Sequence, residues 1–394
     1  MGTAGAIDEG NISYRVAIVH SFYSSRVPSG ENVVVQQQAD ALRRLGYIVQ
    51  IFAQSTDRRE RSKLYPLEAA LTVATGWGPI PQRLRDFNPD VIHVHNLFPN
   101  FGKQWLLNTA APVISSLHNY RPMCAAGTFY RDGRVCTDCA DRKSSLPAIQ
   151  HGCYKGRIAS VPVALGQRFD RDPFLARSSA IVALSSQMSS IYASYGATPQ
   201  KLHVLPHFLP DELDRGSGPG GRYWLYGGRL SHEKGILPLV QEWPSERPLL
   251  IAGQGELEAE VRRVAKGKNI KVLGAVGRED LMALMRGAAG VVFPSRWFEG
   301  FGLVYMEALA AGTPVLAWEP SVVASFIRDD GTGAVVRGLL SDALEAADKS
   351  FPSMRSHCRQ VFERKYRESS WAEGIRGIYD AARKSNASVS RFSS

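Results

Sequence analysis

Long apolar runs are missing. Nowhere in the 394 residues do about eighteen apolar side chains follow one another, the length a helix needs to cross a bilayer, so no spanning helix is expected. Residues 1–10 have neither a basic stretch nor an apolar core. They do not read as a secretory signal, and a cytoplasmic address is the expectation. Internal repeats and low-complexity tracts are absent as well. No basic stretch interleaved with aromatics and no helix-turn-helix pattern stands out, which argues against a nucleic-acid partner. Present instead are 44% hydrophobic residues and a net charge of +10, in a length that suits two domains each burying its own core. The basic excess is spread over both halves of the chain. It would attract diphosphates and an anionic membrane surface, beside the plainer reading of a soluble basic protein.

Apolar segments alternate with helical stretches throughout. Strands are predicted at 15–20, 47–53, 91–95, 113–117, 180–184 and 203–205, with a helix at 33–45 among the intervening segments. A glycine-, serine- and proline-rich stretch at 214–222 reads as a linker. Beyond it, strands are predicted at 223–226, 249–252, 270–273, 291–293 and 314–317. This alternation implies α/β architecture with parallel sheets, and two doubly wound, Rossmann-like domains facing a cleft. The first is placed at 1–214, with a cysteine-rich insertion at about 120–157, and the second at 222–369.

The strongest chemical signals lie at strand ends of the second half. A strand at 290–293 leads into a glycine-rich turn carrying Glu299, and a helix opens at Gly302 with Glu307 on its second turn. Gly300 and Gly302 let a ligand approach the backbone, and free N–H groups at a helix start favour an anion. Carboxylates beside such a site suit sugar hydroxyls; either glutamate alone reads equally as a surface acid. Upstream, Gly228-Arg229 and Glu233-Lys234-Gly235 follow the strand at 223–226. There Arg229 offers a planar fork and Lys234 a point charge to a diphosphate, although a single loop lysine is usually just solvated.

Gly228-Arg229, Glu233-Lys234-Gly235 and the run from Glu299 through Gly300, Phe301, Gly302 and Leu303 to Glu307 resemble glycosyltransferase family 4, retaining enzymes of the GT-B fold. The resemblance covers nearly the whole chain and is sharpest from Tyr223 to Ala317. It implies Arg229 and Lys234 on the departing diphosphate, Glu299 on the donor sugar, Glu307 on the ribose, and the backbone near Ala275 and Val276 by the base. It also implies that segment 370–394 crosses back to the first domain as a helix. With two cations in place, no catalytic metal is expected.

The first half supplies the opposite wall. The loop at 20–31 resembles the family's glycine-rich loop near the donor phosphates, with Ser29-Gly30 where paired glycines are common. His118, ending the strand at 113–117, matches the family histidine facing the donor sugar; a satisfied structural histidine is the alternative. His95 is a weaker candidate. Four of the five cysteines, Cys124, Cys136, Cys139 and Cys153, fall within the insertion, and Cys136-x-x-Cys139 has zinc-ligand spacing. A structural zinc competes with a redox pair plus two spare thiols, or with buried small hydrophobes.

The expected activity is transfer of a hexose from a nucleoside-diphosphate sugar, UDP favoured, to an acceptor hydroxyl in cell-surface polysaccharide or glycolipid synthesis. The acceptor classes are a glycan, a lipid-linked sugar or a small molecule such as an antibiotic precursor. A nucleotide-sugar-binding regulator without turnover is the alternative from another class. A peripheral contact with the inner face of an anionic membrane completes the expectations.

Overall fold

The computed structural model describes residues 14–23 and 30–391, with side chains up to Asn386. Fourteen strands and the helices between them form two parallel sheets and one small hairpin. In chain order β1 (Arg15–Phe22), β2 (Ile48–Ser55), β3 (Val91–Asn96) and β4 (Val113–Ser116) open the first sheet. The hairpin of β5 (Tyr130–Arg131) and β6 (Arg134–Val135) stands apart from it, and β7 (Ala180–Ala183) and β8 (Leu202–Val204) complete it. The second sheet takes β9 (Tyr223–Gly227), β10 (Leu249–Ala252), β11 (Ile270–Gly274), β12 (Ala288–Phe293), β13 (Val315–Trp318) and β14 (Gly333–Val336). Their orders are β2-β1-β3-β4-β7-β8 and β11-β10-β9-β12-β13-β14. The central strands β3, β4, β7 and β13 are buried along their whole length. Parallel strands covered by helices on both faces have no solvent side to alternate with, which is why they read as continuous apolar runs.

Most strands lie within two or three residues of the expected positions. β14 was not among them: Gly-Ala-Val-Val after a Gly-Thr turn is too short and too weakly patterned to register as a strand on its own. It exists because β13 offers it a parallel edge. The stretch at 214–222 is irregular throughout and is strapped to the second domain. Arg359 pairs with Asp214 through two contacts of 2.6 and 2.7 Å, and a Cβ on Gly221 would lie 1.9 Å from the Gly287 carbonyl oxygen.

The helix Leu340–Lys365 buries Leu344, Ala347, Phe351, Val361 and Phe362. After it Glu368–Arg391 leaves the second domain. Its Trp371, Ile375, Ile378 and Tyr379 join the core that holds Val16, Ile18, Leu42 and Val91 of the first sheet. The Tyr379 hydroxyl lies 2.7 Å from His93 Nδ1, and Arg44 grips Glu368 at 2.9 and 2.7 Å. The chain therefore closes back on its first half, and the carboxyl ends of the two sheets face one another.

Candidate functional site

In a doubly wound sheet the crevice opens where the strand order reverses, since neighbouring crossovers leave on opposite faces there. In the second sheet that point lies between β9 and β12. The loops leaving these two strands carry Arg229, Lys234 and Glu299. They border a cavity of about 370 Å3 between the sheets, whose opposite wall includes Gly30, Glu31, His118 and His207.

Glycines bring these loops together. Gly235 adopts φ +68°, and a Cβ there would stand 2.2 Å from the Pro294 carbonyl oxygen, so the two loops can touch only where that side chain is missing. Their contact sets Lys234 against Glu299. One oxygen of Glu299, which is 4% exposed, accepts from Lys234 Nζ at 2.5 Å, Ser295 Oγ at 2.7 Å and Trp297 Nε1 at 3.1 Å. Gly302 caps the helix Leu303–Ala310 with φ +92° and no side-chain cap bond, which leaves the free N–H groups of the helix start beside the cavity. A Cβ on Gly300 would meet the His118 carbonyl at 3.1 Å and Met188 Cε at 3.0 Å. This turn is thus the place where the second domain presses on the first.

Arg229 is 71% exposed and pairs with Glu233 at 3.2 Å, which leaves most of its fork open to the cavity. Gly228, Gly300, Phe301, Gly302 and Leu303 line the same space. Val276 and Glu307 do not. Glu307 is buried with its carboxylate on Arg278 Nε at 2.8 Å, a partner that sequence reasoning missed. Burial pushes the Glu307 carboxyl up, and Arg278 opposes the shift. Val276 packs against the central core. Within the first-domain loop, residues 24–29, Ser29 among them, lie outside the described residues.

His118, itself half-buried, joins an assembly of buried histidines that the sequence reading met only in part. His95 Nδ1 stands 2.9 Å from His118 Nε2, His118 stacks on His207 at 5.6 Å, and His93 stacks on His95 at 4.3 Å. Burial holds His118 and His95 well below the ordinary histidine range, and neighbouring imidazoles add to the effect. His118 is therefore a neutral hydrogen-bonding group rather than a cation. Glu31, also missed, has its carboxyl raised to about 7 by burial, with Arg121 and Asn96 opposing. Its only sequence signal was its position one residue into the helix after β1.

Cys124, Cys136, Cys139 and Cys153 are free thiols. Burial first, then the neighbouring Cys124, pushes Cys139 up to about 12. The four are electrostatic neighbours with a soft donor set suited to zinc. Among the described residues, however, no group of three or more histidines, cysteines or acids is placed to hold a metal ion.

Two family profiles divide the chain between them: "Glycosyltransferase Family 4" matches residues 28–213 and "Glycosyl transferases group 1" matches residues 214–367. The chain belongs to glycosyltransferase family 4. Of its relatives, O-antigen chain mannosyltransferase C of Escherichia coli is 34% identical over 134 residues, or 32% of this chain and 36% of that protein. The chain thus spans about a third of that relative's length. Among solved structures, sucrose-phosphate synthase from Thermosynechococcus elongatus superposes with TM-score 0.65 at 17% identity, covering 93% of this chain and 98% of that one. HepE from Anabaena, solved with UDP and glucose, superposes with TM-score 0.58 at 14% identity, covering 93% and 100%. At such identities the likeness is one of fold, and it is the GT-B fold. No helix among the described residues is long and apolar enough to cross a membrane.

Proposed function

We propose that this family 4 chain is a retaining glycosyltransferase. It moves a hexose from a nucleoside-diphosphate sugar, UDP favoured, to an acceptor hydroxyl in cell-surface polysaccharide or glycolipid synthesis. The observation that carries the reading is the meeting of Arg229, Lys234, Glu299 and the helix start at Leu303 on one cavity. Arg229 and Lys234, with the free N–H groups of that helix, neutralise the departing diphosphate, where charge grows most in the transition state. Glu299 holds donor hydroxyls, and neutral His118 faces the sugar from the opposite wall. Lys234 and Glu299 are paired with each other, so an incoming diphosphate competes for Lys234 and frees acceptor capacity on Glu299. Glu307 lies outside that cavity on Arg278, and it reaches a ribose only where a bound nucleotide draws it off that arginine.

The E. coli relative, an O-antigen chain mannosyltransferase, supports a polysaccharide role. The UDP and glucose bound by HepE support the donor class. A peripheral contact with an anionic membrane and a structural zinc on Cys124, Cys136, Cys139 and Cys153 belong to the same reading. Zinc there would order the insertion and take no part in transfer. Incubating the purified chain with UDP-, GDP- and ADP-sugars tests the proposal. One donor is expected to raise the melting temperature and to be slowly hydrolysed without acceptor. Stabilisation with no nucleotide release from any donor would favour a binding regulator and overturn the assignment.

A further inference from the structure

Two helices of the first domain are turned inside out. In Arg157–Gly166 the interior takes Ser160, Val163 and Ala164, while Ile158, Val161 and Leu165 face outward, Ile158 with 91% of its surface exposed. Their i, i+3, i+7 spacing draws one apolar stripe along the helix. Beside it, Tyr65–Thr75 buries Tyr65 and Thr72 and exposes Leu67, at 62%, and Leu71, with Leu64 just ahead. Between the two helices runs an open apolar groove of about 910 Å3. So many aliphatic side chains on adjoining helices form a contiguous patch of the kind that marks an interaction surface.

The charges around this patch indicate what covers it. Segments 57–75 and 155–168 hold seven lysines and arginines against three acids. Arg58, Arg61, Lys63, Lys155 and Arg157 are all exposed. Arg157 occupies the first turn of its helix, which contains no acid; there the helix dipole disfavours a cation, so intrahelical stability does not account for its placement. Lys155 lines the groove beside Glu60 and the other cations flank it in sequence; aliphatic side chains with a net basic border suit an interfacial membrane contact, with the apolar face entering the acyl boundary and the basic residues meeting anionic headgroups. The groove also leads inward. Phe98 lines it and lines the small pocket that holds His118, and His118 in turn lines the donor cavity. Arg121 covers Phe98 at 4.0 Å at the junction.

We propose that the paired helices Tyr65–Thr75 and Arg157–Gly166 are the surface by which this chain docks on an anionic lipid bilayer, presenting the first-domain side of its cleft to the membrane. The proposal deepens the peripheral contact of the preceding reading and is independent of which donor is used. Cosedimentation of the full chain with vesicles tests it. Binding is expected to phosphatidylglycerol–phosphatidylcholine vesicles, to weaken with salt, and to be far lower on phosphatidylcholine alone. The double variant Leu67→Glu with Ile158→Glu should bind at least about tenfold more weakly, because two carboxylates replace inserted aliphatics and meet anionic lipid. Leu339→Glu, an equally exposed site in the second domain, should bind as wild type. If the double variant fails to fold, Arg58→Gln with Arg61→Gln replaces it, with a loss of similar direction expected. Release of UDP from UDP-glucose in solution should be the same in wild type and variants. Absence of that release from all of them would sink the donor assignment and leave vesicle binding standing. Three results would overturn the docking proposal: no binding to anionic vesicles, binding that survives the helix substitutions, or a wild-type dimer that the double variant dissociates, which would assign the face to a second copy of the chain.

Discussion

Replacing Arg229 by alanine separates the donor-site reading from a structural one. Its side chain is 71% exposed and its one ion pair among the described residues, with Glu233, spans 3.2 Å. An exposed pair of this kind contributes at most about 1 kcal/mol, and Glu233 keeps Ser231 Oγ at 2.7 Å when the arginine is gone. The melting temperature should therefore stay within about 2 °C of wild type. If Arg229 stabilises a departing diphosphate, the same change removes a preorganised cation from the transition state. Contacts of that kind contribute about 2.7–4 kcal/mol, which corresponds to roughly a hundred- to a thousandfold in kcat. Steady-state release of nucleotide from the donor identified by thermal shift provides the assay, with melting followed in parallel. Arg359→Ala supplies the converse. This arginine is largely buried on Asp214 and the Ala310 carbonyl, so stability should fall while the cleft chemistry persists in the folded fraction. Wild-type turnover by Arg229→Ala at saturating donor would refute the reasoning.

Glu299→Ala should also lose about a hundredfold or more in kcat, with some stability as well, because Lys234, Ser295 and Trp297 all donate to that carboxylate; unchanged turnover would remove it from the site. Acid should unfold the protein early. His20 is lowered to about 4 and His93 and His207 to about 3 by burial, whereas the unfolded chain titrates near 6.5. The unfolded state thus binds more protons, stability is complete above about pH 6.5, and it declines as the pH falls toward the folded values. Urea midpoints that stay flat between pH 7.5 and about 5 would contradict this. Zinc on the insertion requires its four cysteines to draw together from their described positions; elemental analysis of purified protein then finds about one zinc per chain, and a folded, metal-free sample would exclude the zinc.

The framework of this protein was legible in its sequence because each part is a local property. Continuous apolar runs mark strands buried on both faces, glycines mark the turns at their ends, and the loops with Arg229, Lys234 and Glu299 became candidates through their combination and the family resemblance, since each residue alone reads equally as a solvated charge. Even the return of the C-terminal helix to the first domain followed from the family resemblance. What no local pattern contains is which loops meet. Lys234 and Glu299 are 65 residues apart, and they pair because the sheet places β9 directly beside β12 and because Gly235 yields to Pro294. The turn of Glu307 onto Arg278, the arrival of Glu31 in the donor cavity and the assembly of histidines from three separate segments were likewise decided by strand order. The apolar stripe on Arg157–Gly166 reads as an ordinary buried face until the fold turns it outward. Periodicity reports that a helix has two faces, and only packing determines which of them the solvent sees.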